Sequence, residues 1–194
     1  MRSKTLLPVW CLVVALTGVG CSSRTFVVTR HAEKTSPVAD ALSTEGLARA
    51  TELAEVLSRA KVQRIVVTNT CRSAQTGQAL AESLGIPLTV QQLPGGAGFD
   101  GCVPPVSVPT VLLPTSVVTS TQLVEHLLDD YQGTTLIVGH SNTVGPFITA
   151  FGGGTIAPFA ETEHDRLYVL TRRFNGKPIH ARRVDGRYGV AFAP

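Results

Sequence analysis

Four residues scattered along the sequence have the types that bind and transfer a phosphoryl group: Arg30, His31, Arg72 and His140. Guanidinium forks match phosphate oxygens in bidentate fashion, and such charge-assisted hydrogen bonds are the stronger sort. An imidazole nitrogen aimed at phosphorus can accept the phosphoryl group and later yield it to water, which divides one hard step into two. A nearby arginine disfavours the imidazolium and so helps keep His31 neutral and nucleophilic. Phosphoryl transfer rests on positioning and on neutralising oxygens, and two arginines with a second histidine supply this without a metal. The blander reading of Arg30-His31 is a polar strand end facing solvent. Three apolar runs weigh against it, because each leads into one part of the same set.

Those runs are Phe26-Val27-Val28, Ile65-Val66-Val67 and Leu136-Ile137-Val138, and each reads as a short buried strand. Between them the period turns helical. Ser43 is a good N-cap for a helix carrying Leu47, Ala50, Leu53, Ala54 and Leu57 as far as about Ala60. A second helix carries Ala74, Leu80, Ala81 and Leu84 and ends at Gly85, with Pro87 beyond it. Leu88 to Leu93 reads as a third strand. Ser120 can cap a helix with Leu123, Val124, Leu127, Leu128 and Tyr131, and another runs from about Thr143 to Phe151. A strand at Leu167 to Thr171 and a hairpin strand around Ile179 to Val184, turned at Asn175-Gly176, complete the pattern. Alternating strands and helices predict an α/β fold: a three-layer wound, mostly parallel sheet with helices on both faces. In such a sheet, ligands bind outside the carboxyl ends of the strands, where Arg30-His31, Arg72 and His140 all fall.

The chain of 194 residues suits one domain, here residues 21–194. Hydrophobic content of 43% against 16% charged excludes a disordered chain, and a net charge of +3 is too small to imply a nucleic-acid partner. Residues 1–20 read as a secretory signal: a basic start, an apolar run from Thr5 to Leu16 too short to span a bilayer comfortably, then small residues. The segment resembles a bacterial lipoprotein leader through Gly18-Val19-Gly20-Cys21, with Gly18 departing from the usual branched residue. Cys21 is then the lipid-bearing residue, and the protein sits in the periplasm or at the cell surface, anchored to a membrane; simple secretion and a retained anchor are the alternatives. The first strand follows about five residues later and leaves little tether. Removal of the leader takes Cys11. With Cys21 lipidated, Cys71 and Cys102 remain as an even pair in an oxidising compartment, either as a disulfide or as two buried thiols. No Cys or His pair has metal-ligand spacing, so no cofactor is expected.

The motifs together resemble the histidine phosphatase superfamily, with the phosphoglycerate mutase-like fold. Its opening Arg-His motif is matched by Arg30-His31-Ala32, and the following helix start by Leu42-Ser43-Thr44-Glu45-Gly46. Thr70-Cys71-Arg72-Ser73-Ala74-Gln75-Thr76 matches the second arginine motif and Gly139-His140-Ser141-Asn142-Thr143 the second histidine motif. Each motif is weak alone; four in the expected order, over about residues 25–172, are specific. The resemblance implies His31 as the phosphorylated nucleophile, with Arg30, Arg72 and His140 as the phosphate pocket. It places Asn142 nearby, either touching substrate or making a turn bond. The general acid departs from the pattern. The segment after the third strand offers only Asp100, and Glu33 is the alternative, favoured because its place beside the nucleophile is fixed by sequence. Glu33 in an ion pair is the competing reading. A phosphohistidine phosphatase needs less acid, since its leaving group is good.

The expected activity is hydrolysis of a phosphorylated substrate through a phosphohistidine intermediate. A phosphohistidine phosphatase or a mutase is a variant of that reading, the mutase disfavoured by export and by the short chain. A lipoprotein that binds phosphate or a phosphorylated ligand without turnover is the competing class, and a purely structural lipoprotein the third. Residues 94–118, rich in Gly and Pro, form a long connection read either as a substrate-facing lid or as a plain insertion. His126, His164 and His180 read as surface residues. Arg172, Arg173, Arg182 and Arg183 read as a solvated face, with contact to anionic headgroups as the alternative.

Overall fold

The computed structural model describes residues 22–130, 132–174 and 181–189. The leader, Cys21, Tyr131, the Asn175-Gly176 turn, Ile179 and His180 lie outside them. The central strands are β1 (Ser22–Arg30), β2 (Val62–Thr68) and β5 (Gly133–Gly139). Their apolar runs are at most 2% exposed because both faces are covered. This explains why they read as unbroken hydrophobic stretches rather than as alternating ones. With β3 (Leu88–Gln91), β4 (Thr110–Leu112), β6 (Arg166–Phe174) and β7 (Arg182–Arg187) they form one sheet in the order β4-β3-β2-β5-β1-β6-β7. The strands from β4 to β1 are mutually parallel, whereas β6 runs antiparallel to β1 and β7 antiparallel to β6.

Alternation along the strands sends side chains into two cores. Val27, Ile65, Val67, Leu136 and Val138 pack on one face with Leu53 and Leu57 of α1 (Thr44–Leu57) and Leu80 of α2 (Cys71–Leu84). Phe26, Val28, Val66 and Ile137 pack on the other with Leu123 and Leu127 of α3 (Ser120–Asp130) and Phe147 and Ile148 of α4 (Val144–Ala150). The layers are therefore helix, sheet, helix, as the sequence pattern predicts. Ser43 caps α1 by accepting from the Gly46 N–H, and Gly85 ends α2 at φ 65°. None of the described helices is long and apolar enough to cross a membrane.

Local departures have physical reasons. α3 begins at Ser120 itself, and the capping residue is Thr119, whose Oγ1 accepts from Gln122 N while Gln122 Oε1 accepts from the Thr119 backbone N–H. The third strand stops at Gln91, because Leu93 is drawn out to the Asn69 side chain. β1 starts at Ser22, so no tether separates it from Cys21. The 94–118 connection contains β4, an exposed edge strand hidden in the sequence by Pro109 and Pro114 on either side. This connection is strapped to the body. A disulfide joins Cys102 to Cys71, Gln75 Nε2 donates to the Pro104 carbonyl, and Leu113 and Val117 are buried.

Candidate active site

Strand register brings the site together. Arg30 is paired with Gly139 across β1 and β5, so His31 and His140 leave the sheet side by side. The first turn of α2 ties this edge down. Ser73 Oγ accepts from Thr68 N and donates to the Val138 carbonyl, and Thr76 Oγ1 accepts from Ala32 N. The rings of His31 and His140 lie 5.3 Å apart, edge to face.

His31 is buried, and its Nδ1 sits 2.8 Å from the Ala32 carbonyl. A carbonyl only accepts, so Nδ1 carries the proton and Nε2 the lone pair. Burial, helped by His140, Arg30 and Arg72, holds the imidazolium down to a pKa of about 2, against the opposing pull of the Ala32 bond. Burial leads here, and Arg30 and Arg72 help, as the sequence suggests, but as lesser contributors. His140 is pushed down to about 4 by burial and then by Arg72. Arg72 Nε–H can only donate, so His140 Nδ1 accepts at 3.4 Å and Nε2–H donates to Thr68 Oγ1 at 2.9 Å.

Both arginines are held from behind. Arg30 Nη1 donates to the carbonyls of Ala160, Glu161 and Glu163, and its buried Nε has no protein acceptor. Arg72 Nη1 is paired with Asp40 Oδ1, and the other oxygen of Asp40 accepts from Cys71 N at 2.8 Å. Asp40 was missed by the sequence reading: it lies in a loop without periodicity, and only the fold brings it to α2.

The remaining candidates divide. Glu33 accepts from Arg49 Nε at 2.7 and 2.9 Å and from Arg49 Nη2 at 2.6 Å, with Arg49 almost fully buried. Its carboxylate is committed to that ion pair, against the expectation of a general acid. Asp100 is exposed on the 94–118 connection and is not among the residues that line the cleft. Asn142 is exposed, and the turn bond falls to Thr143, whose Oγ1 accepts from His140 N at 2.8 Å. His164, expected at the surface, is buried. Its Nδ1–H donates to the His31 backbone carbonyl at 2.7 Å, and its ring lies 5.6 Å from that of His31.

A cleft of about 720 Å³ opens over Arg30 and His164 and is lined also by Glu33, Lys34, Ser36, Glu45 and Glu161. None of its lining comes from 94–118, so the segments facing a ligand there are 33–45 and 161–164. Among the described residues no group of three His, Cys, Asp or Glu could hold a metal ion. Two neutral imidazoles 5.3 Å apart, with Arg72 against His140 and both braced guanidiniums acting on His31, can bind a tetrahedral dianion and present a nucleophilic nitrogen to it.

Residues 26–95 match the family model described as histidine phosphatase superfamily (branch 1), a stretch that includes Arg30, His31 and Arg72. Similar solved structures include a protein assigned as the phosphohistidine phosphatase SixA of Nakamurella multipartitia (17% identity, 87% of this chain and 98% of that one, TM-score 0.54). A mycobacterial glucosyl-3-phosphoglycerate phosphatase in complex with inorganic phosphate is similar at 14% identity (84% of this chain, 95% of that one, TM-score 0.56). A protein described as mycobacterial hydrolase 2 is similar at 16% identity (87% and 93%, TM-score 0.60). At these identities the likeness is one of fold. No curated protein matches the sequence significantly.

Proposed function

We propose that this chain is a histidine phosphatase superfamily enzyme, a phosphomonoester hydrolase in which His31 is transiently phosphorylated. The observation that carries the reading is the tautomer of His31: Nδ1–H is fixed on the Ala32 carbonyl, leaving Nε2 as a neutral nucleophile beside His140. Nε2 attacks phosphorus as the ester oxygen leaves on the opposite side. Arg30 donates from its unpartnered Nε, and Arg72 turns its Nε from His140 to a phosphate oxygen. His140 takes up a proton at Nδ1 as the dianion arrives and becomes a second donor. Each such donor contributes about 3 kcal/mol in the transition state. Water then attacks the phosphohistidine and releases orthophosphate.

Lys34, Ser36, Glu45 and Glu161 on the cleft wall offer polar contacts to a leaving group. Among the similar structures, one is assigned as a phosphohistidine phosphatase and another is a glucosyl-3-phosphoglycerate phosphatase, and both substrate classes are to be tested. Residues 1–20 act as the leader, and Cys21 carries the lipid on the exported protein. An acyl-modified Cys21 in the mass spectrum of the membrane fraction, lost in Cys21→Ser, is the expected result.

Hydrolysis of p-nitrophenyl phosphate in the presence of a chelator tests the activity. Wild type is expected to turn over and to yield an acid-labile phosphoenzyme on quenching, and His31→Ala to lose at least about 10³-fold in kcat. Tight phosphate binding by a wild type that does not turn over would replace this reading with the binding protein.

A further inference from the structure

His164 is the one member of the buried imidazole group that the reaction above leaves unused. It comes from the loop ahead of β6, whose antiparallel pairing with β1 carries the start of β6 back to the end of β1. Its Nδ1 is committed to the His31 carbonyl, so Nε2 is the ring nitrogen left over, on a residue that lines the cleft. Of the two carboxylates expected to supply a proton, Glu33 lines the cleft but is held by Arg49, and Asp100 is exposed on the 94–118 connection.

Resting on the phosphatase reading, we infer that His164 Nε2 is the proton donor to the leaving oxygen and the proton acceptor from water. In the first step the bond from His31 Nε2 to phosphorus forms and the ester P–O bond breaks. The proton on His164 Nε2 passes to the departing alkoxide, which leaves as the alcohol. In the second step water gives a proton to His164 Nε2 as its oxygen bonds phosphorus, the N–P bond breaks, and orthophosphate departs. The imidazolium is restored, so no co-reactant beyond water is needed.

The net effect of its surroundings on the ring is to lower its pKa, so the imidazolium that starts the cycle gains population as pH falls. Burial lowers its basicity and Arg30 and Arg49 act the same way, whereas Glu33 and the bond to His31 favour the charged form. Tyr188, following β7, donates to the His164 carbonyl and fixes the backbone.

The test uses the full chain and two esters, p-nitrophenyl phosphate, whose leaving group needs little protonation, and glycerol 2-phosphate, whose leaving group needs it fully. His164→Asn keeps an N–H where Nδ1 bonds the His31 carbonyl but removes Nε2. Its kcat/KM is expected to fall further for glycerol 2-phosphate, raising the ratio between the two esters by about 10². An equal fall for both would make His164 a positioning residue and overturn the proposal. Should the variant not fold, the wild-type pH profile decides. kcat/KM for glycerol 2-phosphate is expected to fall with rising pH relative to that for the nitrophenyl ester, and parallel profiles would overturn it. Wild type inert toward both esters would sink the phosphatase reading itself, whereas wild type active only on the nitrophenyl ester would sink the donor alone.

Discussion

Glu33 and Arg49 show how a residue beside the proposed nucleophile can belong to the scaffold. Arg49 is 3% exposed, pairs with the Glu33 carboxylate, and donates from Nη1 to the Tyr188 carbonyl at 3.3 Å. Glu33→Gln removes the carboxylate that Arg49 Nε and Nη2 donate to and is expected to destabilise the fold by about 3 kcal/mol, read as a lowered denaturation midpoint. A variant of unchanged stability with a selective loss on alkyl phosphates would instead make Glu33 the proton donor. The residues legible in the sequence were those attached to a pattern: Arg30, His31 and His140 follow apolar runs directly, and Arg72 opens a helix after one. His164 and Asp40 had no such marker. They lie in loops without periodicity and reach the site only because β6 returns beside β1 and residues 33–42 fold back onto α2. Sequence adjacency favoured Glu33 over Asp100, but its carboxylate is spent on α1.

The elements that hold the site can be weakened one at a time. A Cβ on Gly46 would stand 2.2 Å from the Glu33 carbonyl oxygen, so the start of α1 approaches the 31–34 segment as closely as backbone allows. Gly46→Ala is expected to destabilise by about 1–3 kcal/mol and to raise KM by shifting that segment, measurable by thermal melts and steady-state kinetics. The Cys71–Cys102 bridge spans a separation of 31 residues and joins the 94–118 connection to the residue before Arg72. Cys71→Ser with Cys102→Ser is expected to lose about 3–4 kcal/mol of stability, with a lower urea midpoint. The order of strands and helices, the cap at Ser43 and the stop at Gly85 were legible because each has a local chemical cause. β4 was not, since three exposed residues bracketed by prolines read as loop until β3 offers them a ladder.

At the scale of the whole molecule, the buried imidazoles make stability depend on pH. His31 and His140 are depressed to about 2 and about 4 in the folded state, so the unfolded chain binds protons that the native one refuses. Their contribution is complete above about pH 6.5 and is lost as pH falls, by up to about 1.4 kcal/mol per unit for each ring. The melting temperature is expected to drop between pH 7 and 4.5. Added phosphate should offset the drop by binding only the folded form, and a flat melting profile would contradict neutral burial. The geometry of β1 has a last consequence. It runs nine residues from Ser22 to Arg30, about 26 Å at a strand's usual rise, and puts the start of the strand and the candidate site at opposite poles of the sheet. Were acyl chains on Cys21 to hold one pole at a bilayer, the other would open outward into the aqueous space. The esters it meets would then be dissolved ones arriving by diffusion, not headgroups of the leaflet beneath.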